Sequence, residues 1–313
     1  MYPNMFIAGA VSVIILCLTL LKFLGKRKVQ NLDSKYVFIT GCDSGFGREI
    51  AVRLDKMGVR VLAACLTKQG EQDLTSMTSD QLKTFQMDVT DSQQIKDVFE
   101  QVKNMLPSEH GIWGLVNNAG ISSLTPIEWT PLDQLKRIAD VNLWGMMDVT
   151  KTFLPLVKKS QGRVVNMSSM LGRVSLPGQS GYCISKYGVE AFSDALRREM
   201  SPWRVLVSVI EPGAFKTGIM NAERAVETMR KLWDDLSPEL KKDYGDKYLG
   251  RVSDRIVEGL NACSSDTFRV VDAIVDALTS QRPQTRYAVG WDAKLMIFIS
   301  FLPTFIADRF LKK

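Results

Sequence analysis

Histidine is the scarcest reactive residue in this chain, with His110 the only one among 313 residues. One imidazole rules out a metal site built on several histidines and leaves a serine–histidine mechanism a single, badly placed partner. His110, between Glu109 and Gly111, reads as an ordinary loop residue. Cysteine is also sparse. The five residues Cys17, Cys42, Cys65, Cys183 and Cys263 are odd in number, widely spaced and without a Cys-x-x-Cys pair. That pattern fits reduced thiols, not a disulfide frame or a zinc centre, and no metal is expected. A large charge excess of one sign is missing too. The formal charge is +6, and Lys and Arg are scattered among Asp and Glu with no basic stripe interleaved with aromatics, so nucleic acid is not expected as a partner.

Long hydrophobic runs are absent except at one place. Residues 5–21 are almost wholly apolar, and the run reaches Leu24 if Lys22 snorkels, which is enough to cross about 30 Å of hydrocarbon as a helix. No basic segment precedes it and no small-x-small site ends it, so it reads as an uncleaved transmembrane anchor and not as a signal peptide. Lys26, Arg27 and Lys28 follow at once, and the positive-inside bias predicts that the rest of the chain faces the cytosol.

The remainder is globular in composition, 45% hydrophobic, and alternates between short apolar runs and helical periodicities. Strands are predicted at 36–40, 59–65, 81–87, 112–116, 163–169 and 204–210, with helices at 48–57, 92–106, 132–158 and 188–200 between them. Such alternation predicts an α/β fold, a doubly wound parallel sheet of Rossmann type in a single catalytic domain behind the anchor. The expected division is 1–28 anchor and basic flank, 29–294 catalytic domain and 295–313 an apolar, membrane-associated C-terminal segment.

The polar and glycine motifs fall just after strand ends, which in such a sheet share one edge where ligands bind. After the first strand comes Gly41-Cys-Asp43-Ser44-Gly45-Phe46-Gly47, spaced G-x-x-x-G-x-G. Glycines there let a backbone approach a pyrophosphate at a helix N-terminus, although such a turn is also a common structural device. The second strand ends in Cys65-Leu-Thr-Lys68 with no carboxylate at its tip, and Lys68 would suit a 2′-phosphate, so NAD and NADP both stay open. Asp88 and Val89 follow the third strand; Asp88 suits either an adenine amino group or a plain turn. Asn117-Asn118-Ala119-Gly120 follows the fourth. Asn142 is a polar residue on an apolar helix face and asks for a partner.

Tyr182 and Lys186 stand four apart at the start of a predicted helix, where both side chains leave one face. A phenol beside an ammonium ionises more easily, making Tyr182 a candidate general acid/base. Ser169, at the end of the fifth apolar run, is placed to hold a substrate oxygen opposite the phenol. Alone, a Tyr-x-x-x-Lys pair is a weak signal; its company at the same sheet edge strengthens it.

Taken together and in order, Thr40-Gly-Cys-Asp-Ser-Gly-Phe-Gly47, Asn117-Asn-Ala-Gly120, Ser169, Tyr182-Cys-Ile-Ser-Lys186 and Pro212-Gly213 resemble the short-chain dehydrogenase/reductase family over residues 34–290. The resemblance implies a catalytic tetrad at Asn142, Ser169, Tyr182 and Lys186. It also implies cofactor contacts at Gly41, Asp43, Ser44, Gly45, Phe46, Gly47, Asp88, Val89, Asn118, Ala119, Gly120, Tyr182, Lys186, Pro212, Gly213 and Thr217, with Ser169 touching substrate. In that scheme Lys186 lowers the phenol pKa and binds the nicotinamide ribose, Asn142 holds a water linking Lys186 to solvent, and Thr217 holds the carboxamide.

Val61-Leu-Ala-Ala-Cys-Leu-Thr67, Gly172-Arg173 and Gly290-Trp-Asp-Ala-Lys294 are similar to the membrane-bound retinol and hydroxysteroid dehydrogenases. That likeness implies hydride transfer between a lipophilic alcohol and NAD, with NADP open, in the endoplasmic reticulum membrane, and it allows a homodimer. Asn142-Leu-Trp-Gly145 and Ser168-Ser-Met-Leu-Gly-Arg173 are shared with a 3-hydroxybutyrate dehydrogenase. A hydroxy-acid enzyme is therefore one alternative and a non-catalytic dinucleotide-binding relative another. The insertion 219–266, with Met229, Leu232, Trp233, Tyr244 and Tyr248, reads either as a substrate lid or as packing alone. Residues 295–305 are too short and Pro-broken to span a bilayer but suit a membrane surface.

Overall fold

The computed structural model describes residues 27–218 and 221–311. The expected anchor, apart from its last two basic residues, lies outside them. Among the described residues no helix is long and apolar enough to cross a membrane.

Strands β1 (Tyr36–Thr40), β2 (Arg60–Cys65), β3 (Lys83–Gln86), β4 (Gly114–Asn117), β5 (Arg163–Met167), β6 (Leu206–Pro212) and β7 (Arg286–Val289) form one parallel sheet in the order β3-β2-β1-β4-β5-β6-β7. The expected doubly wound α/β sheet is therefore present. The strand at β7 was not anticipated: four residues, Arg-Tyr-Ala-Val, are too short a run to stand out from their neighbours. Central strands read as unbroken apolar runs because both faces are covered, and every residue of β4 and β5 is buried.

On one face lie α1 (Gly45–Lys56) and α10 (Phe268–Thr279), packed through Ile50, Leu54, Val270 and Ile274. On the other lie α3 (Ser92–Met105), α5 (Met146–Lys159) and α6 (Ser180–Glu199), whose core includes Phe38 of β1 stacked on Phe153 with ring centroids 4.3 Å apart. Between β2 and β3 runs α2 (Lys68–Thr75).

The strand order reverses between β1 and β4, and the crevice at that switch point is where such sheets hold ligands. The glycine turn after β1 and the Asn117–Gly120 turn after β4 flank it.

The helix expected over 132–158 is interrupted. It is α4 (Leu132–Ala139), a π-helical stretch Asp140–Gly145, then α5. The wider turn rotates Asn142 out of the regular ladder, and its side chain bonds across to Ile121 in the loop after β4.

The insertion folds as α7 (Ala222–Asp234), α8 (Pro238–Tyr244) and α9 (Tyr248–Asn261). Its base is closed by a bridge between Phe215 and Ser264, where Lys216 N donates to the Ser264 carbonyl at 2.8 Å and Ser264 N to the Ala214 carbonyl at 2.9 Å. Met229 and Leu232 build a small core with Trp129, on the loop after β4, and Tyr244 and Tyr248 stack edge-on against that indole. These apolar residues thus pack the insertion onto the site's own loop. Last come α11 (Trp291–Ile299) and α12 (Thr304–Leu311).

Candidate active site

The glycine turn has the conformation its residues allow. Gly41 (φ +71°) and Gly45 (φ +56°) are left-handed, which a side chain resists. A Cβ at Gly47 would run into the Gly41 carbonyl oxygen and the Asn118 amide. Asn118 clamps this turn, donating from Nδ2 to the Thr40 carbonyl at 2.9 Å and the Gly41 carbonyl at 3.0 Å. The backbone amides of Asn118 and Ala119 meanwhile donate to Thr40 Oγ1. At the N-terminus of α1, Ser44 makes no side-chain cap. Amides there, with the helix dipole behind them, face the crevice and fit a pyrophosphate. Gly47→Ala is expected to weaken dinucleotide binding at least tenfold, measured by fluorescence titration, with the fold retained by circular dichroism.

Asp43 does what its position in the sequence hides. Its carboxylate crosses to the tip of β2, accepting from Leu66 N at 2.8 Å, Thr67 N at 2.9 Å and Thr67 Oγ1 at 2.7 Å. The expectation that no acid stands at that tip is therefore corrected: the first turn supplies one, over a gap of 23 residues. Asp88 takes its turn role, accepting from Thr90 N and Oγ1, while its own amide donates to Gln94 Oε1. Val89 is buried, its carbonyl against Gly145, where no Cβ would fit.

The two groups at the centre leave the first turns of α6. Lys186 Nζ lies 5.5 Å from the centroid of the Tyr182 ring and donates to the Met167 carbonyl at 2.8 Å. The ring packs against Leu171, Val174 and Cys183, in a cluster that also takes in Leu176, Met296 and Leu311. The Tyr182 phenol lies near enough to Ser169 for the serine hydroxyl to favour its ionised form, and Ser169 Oγ accepts from Leu171 N at 3.1 Å.

Burial pushes the Tyr182 phenol up to about 12, with the nearby Ser169 hydroxyl pulling the other way. The expected lowering by Lys186 is thus corrected for the chain by itself, where desolvation of the phenolate prevails. Burial likewise brings Lys186 down to about 8, and the Glu190 carboxylate acts against it.

Asn142 holds a fixed set of partners. Nδ2 donates to the Ile121 carbonyl at 2.9 Å and to Ser185 Oγ at 3.0 Å, and Oδ1 accepts from Ile121 N at 2.8 Å. It therefore ties the loop after β4 to α6, one residue from Lys186. Thr217 lies over the glycine turn, 3.4 Å from where a Gly45 Cβ would stand. The turns after β1, β4, β5 and β6 thus converge on one crevice.

Two features escaped sequence reading. Asp292, at the start of α11, accepts from Ala214 N at 2.6 Å and presses on Gly213, so the tail of the chain holds the Pro212–Gly213 turn. Beneath the pair lies a partly buried charge network. Glu211, 2% exposed at its side chain, meets Arg173 at 3.0 Å, and Arg286 meets Glu190 at 2.8 Å and Asp194 at 3.0 Å. Charged residues 75 or more positions apart, as Glu211 and Arg286 are, carry no local signal of pairing.

The short chain dehydrogenase family profile matches residues 35–228. Retinol dehydrogenase 16 of Mus musculus is 50% identical over 296 residues, 94% of this chain and 93% of that protein. The 17-beta-hydroxysteroid dehydrogenase type 6 of Homo sapiens is 47% identical over 292 residues, 92% of this chain and 91% of that protein. Among solved structures, a short-chain dehydrogenase from Streptomyces avermitilis aligns with a TM-score of 0.69 at 26% identity, over 84% of this chain and 91% of that one.

Proposed function

Because this chain belongs to the short chain dehydrogenase family, we propose that it moves hydride between a nicotinamide dinucleotide and a lipophilic alcohol of the retinol or hydroxysteroid class. The observation that carries the reading is the Ser169–Tyr182 hydroxyl pair, set in an apolar wall of Leu171, Val174 and Met296 beside the bare glycine cradle. A bound nicotinamide supplies the hydride acceptor in one direction and the donor in the other.

In oxidation, Tyr182 as phenolate takes the alcohol proton while Ser169 fixes the alcohol oxygen. Lys186 supplies positive charge that favours the phenolate and would donate to the cofactor's ribose hydroxyls. Asn142 keeps the loop after β4 and the start of α6 in register. Gly41, Ser44, Gly45, Phe46 and Gly47 would hold the pyrophosphate, Asp88, Val89, Asn118, Ala119 and Gly120 the adenosine side, and Pro212, Gly213 and Thr217 the carboxamide.

The Asp43 carboxylate at the β2 tip favours NAD, since a 2′-phosphate placed there meets like charge. Asp43→Asn is expected to lower the ratio of kcat/KM for NAD over NADP at least tenfold, measured with both cofactors side by side. An unchanged ratio would move the discrimination to Lys68.

Residues 1–28 are read as an anchor in the endoplasmic reticulum membrane with the catalytic domain on the cytosolic side, and 219–266 as a lid over the lipophilic pocket. Turnover of retinol, androstanediol and 3-hydroxybutyrate by the full chain in microsomes tests the substrate class. Activity on 3-hydroxybutyrate alone would overturn it.

A further inference from the structure

The C-terminal helices leave an apolar surface uncovered beside the active site. In α11 and α12 and the turn between them, Trp291, Leu295, Phe298, Phe301, Phe305 and Phe310 are all exposed, Trp291 by 83% and Phe301 by 72%. Their opposite side is anchored: Ala293, Ile299 and Ala307 are buried, and Met296 and Leu311 pack in the cluster that holds Tyr182. Six large apolar side chains within 20 residues make a patch of the kind that marks an interaction surface. Lys294, with its ammonium 5.8 Å from the Trp291 ring, adds the aromatic-plus-lysine pairing that suits a bilayer interface.

A second constraint comes from the other end of the same strand. Val29 N donates to the Thr279 carbonyl at 2.7 Å, Gln281 N donates to the Arg27 carbonyl at 2.8 Å, and Lys28 pairs with Asp276 at 2.8 Å. The chain therefore enters the domain at the 279–281 corner, just before β7, as α11 leaves it just after. Between Leu24, where the apolar run ends, and Arg27 there is room for only about 10 Å of extended chain. A run that spans a bilayer holds this corner close to the headgroups. The corner is basic: Arg27, Lys28 and Arg282 stand there. Pro283 and Thr285 border a recess of about 530 Å³ that also carries Arg204 together with Arg197 and Arg198, both of which pair with Asp194. Such a cluster complements anionic headgroups.

β7 is the end strand of the sheet, four residues or roughly 13 Å long. The tether corner at one end of it and the aromatic helices at the other define a line, and both contacts are satisfied together only when that line lies along the membrane. We propose that the β7 edge, from the Arg27–Arg282 corner to α11 and α12, rests on an anionic phospholipid surface. The apolar wall around Tyr182 then opens beside the lipid in which the substrate dissolves. This inference rests on the anchor reading given above.

Probes on the full chain in phosphatidylcholine–phosphatidylserine vesicles test it. The described native cysteines, Cys42, Cys65, Cys183 and Cys263, are all buried, so an environment-sensitive fluorophore can be directed to Phe298→Cys or Phe305→Cys. Met77→Cys is the control: it is 48% exposed and precedes β3, at the opposite end of a seven-stranded sheet about 29 Å wide. Brominated lipid is expected to quench the probes at 298 and 305 at least twofold and to leave the probe at 77 unchanged. Replacing phosphatidylserine by phosphatidylcholine should weaken the quenching. Vesicle-bound protein with all three probes equally unquenched overturns the face and spares the anchor. A probe at 298 that is blue-shifted but unquenched means a second copy covers the patch, which also overturns the proposal. Failure of the chain to float with vesicles after a carbonate wash overturns the anchor and, with it, the proposed face.

Discussion

Tyr182→Phe is expected to lower turnover of the alcohol by about a thousandfold or more, about 4 kcal/mol of barrier, while dinucleotide binding stays within about twofold. The substitution removes one oxygen and leaves the ring packed against Leu171, Val174 and Cys183, so the wall of the site survives. What is lost is the phenol hydroxyl whose ionisation Ser169 favours. The pH profile carries the same information. Oxidation needs the phenolate, so its kcat/KM rises with pH through the phenol's pKa, and reduction needs the neutral phenol, so its rate falls there. Burial places that pKa at about 12 in the chain by itself, and the positive charges of Lys186 and of the oxidised cofactor act to bring it down. The phenylalanine variant should show no such limb. Turnover within tenfold of the wild type, by steady-state assay, would remove Tyr182 from the chemistry.

Lys186→Met is expected to cost at least a hundredfold in turnover at pH 7 and to move the rising limb of oxidation up by a unit or more. The ammonium lies 5.5 Å from the phenol ring centroid, and a buried setting strengthens the attraction between it and a phenolate. Stability should move the opposite way. Burial depresses Lys186 to about 8, below its ordinary 10.5. Below pH 8 both folded and unfolded chains hold the proton, and the cost of burying the charge is fully present. Between about 8 and 10.5 the unfolded chain holds more protons than the native one, so this residue's contribution to stability rises with pH. Methionine removes the buried charge but leaves the Met167 carbonyl without its donor, a loss of about 1–3 kcal/mol. Thermal melting at pH 7 should give a Tm equal to or a few degrees above the wild type, and its rise between pH 8 and 10 should flatten. An inactive variant with a clearly lower Tm would make the lysine a structural group.

The family's fold and the placement of its motifs were legible without coordinates because they rest on local chemistry. A buried parallel strand is an apolar run, a tight turn is a glycine, and residues four apart share a helix face. Strands β1 to β6, the glycine turn and the Tyr182–Lys186 spacing all belong to this class. The break at Asp140–Gly145 does not, because a single extra residue in a helical turn leaves the apolar periodicity almost unchanged. β7 does not either, being four residues long and defined by pairing with β6.

What the chain order determined by itself, then, is which elements form and which reactive groups stand at their ends. Only the tertiary structure decided what each group faces. It brought Asp43 to a strand tip 23 positions away and Asp292 to a turn 78 positions back, joined Arg286 to Glu190 and Glu211, and set burial above the lysine's charge in the ionisation of Tyr182. Periodicity records contacts within a turn or a pleat. Charge pairing and desolvation depend on distances through space, which no spacing along the chain encodes.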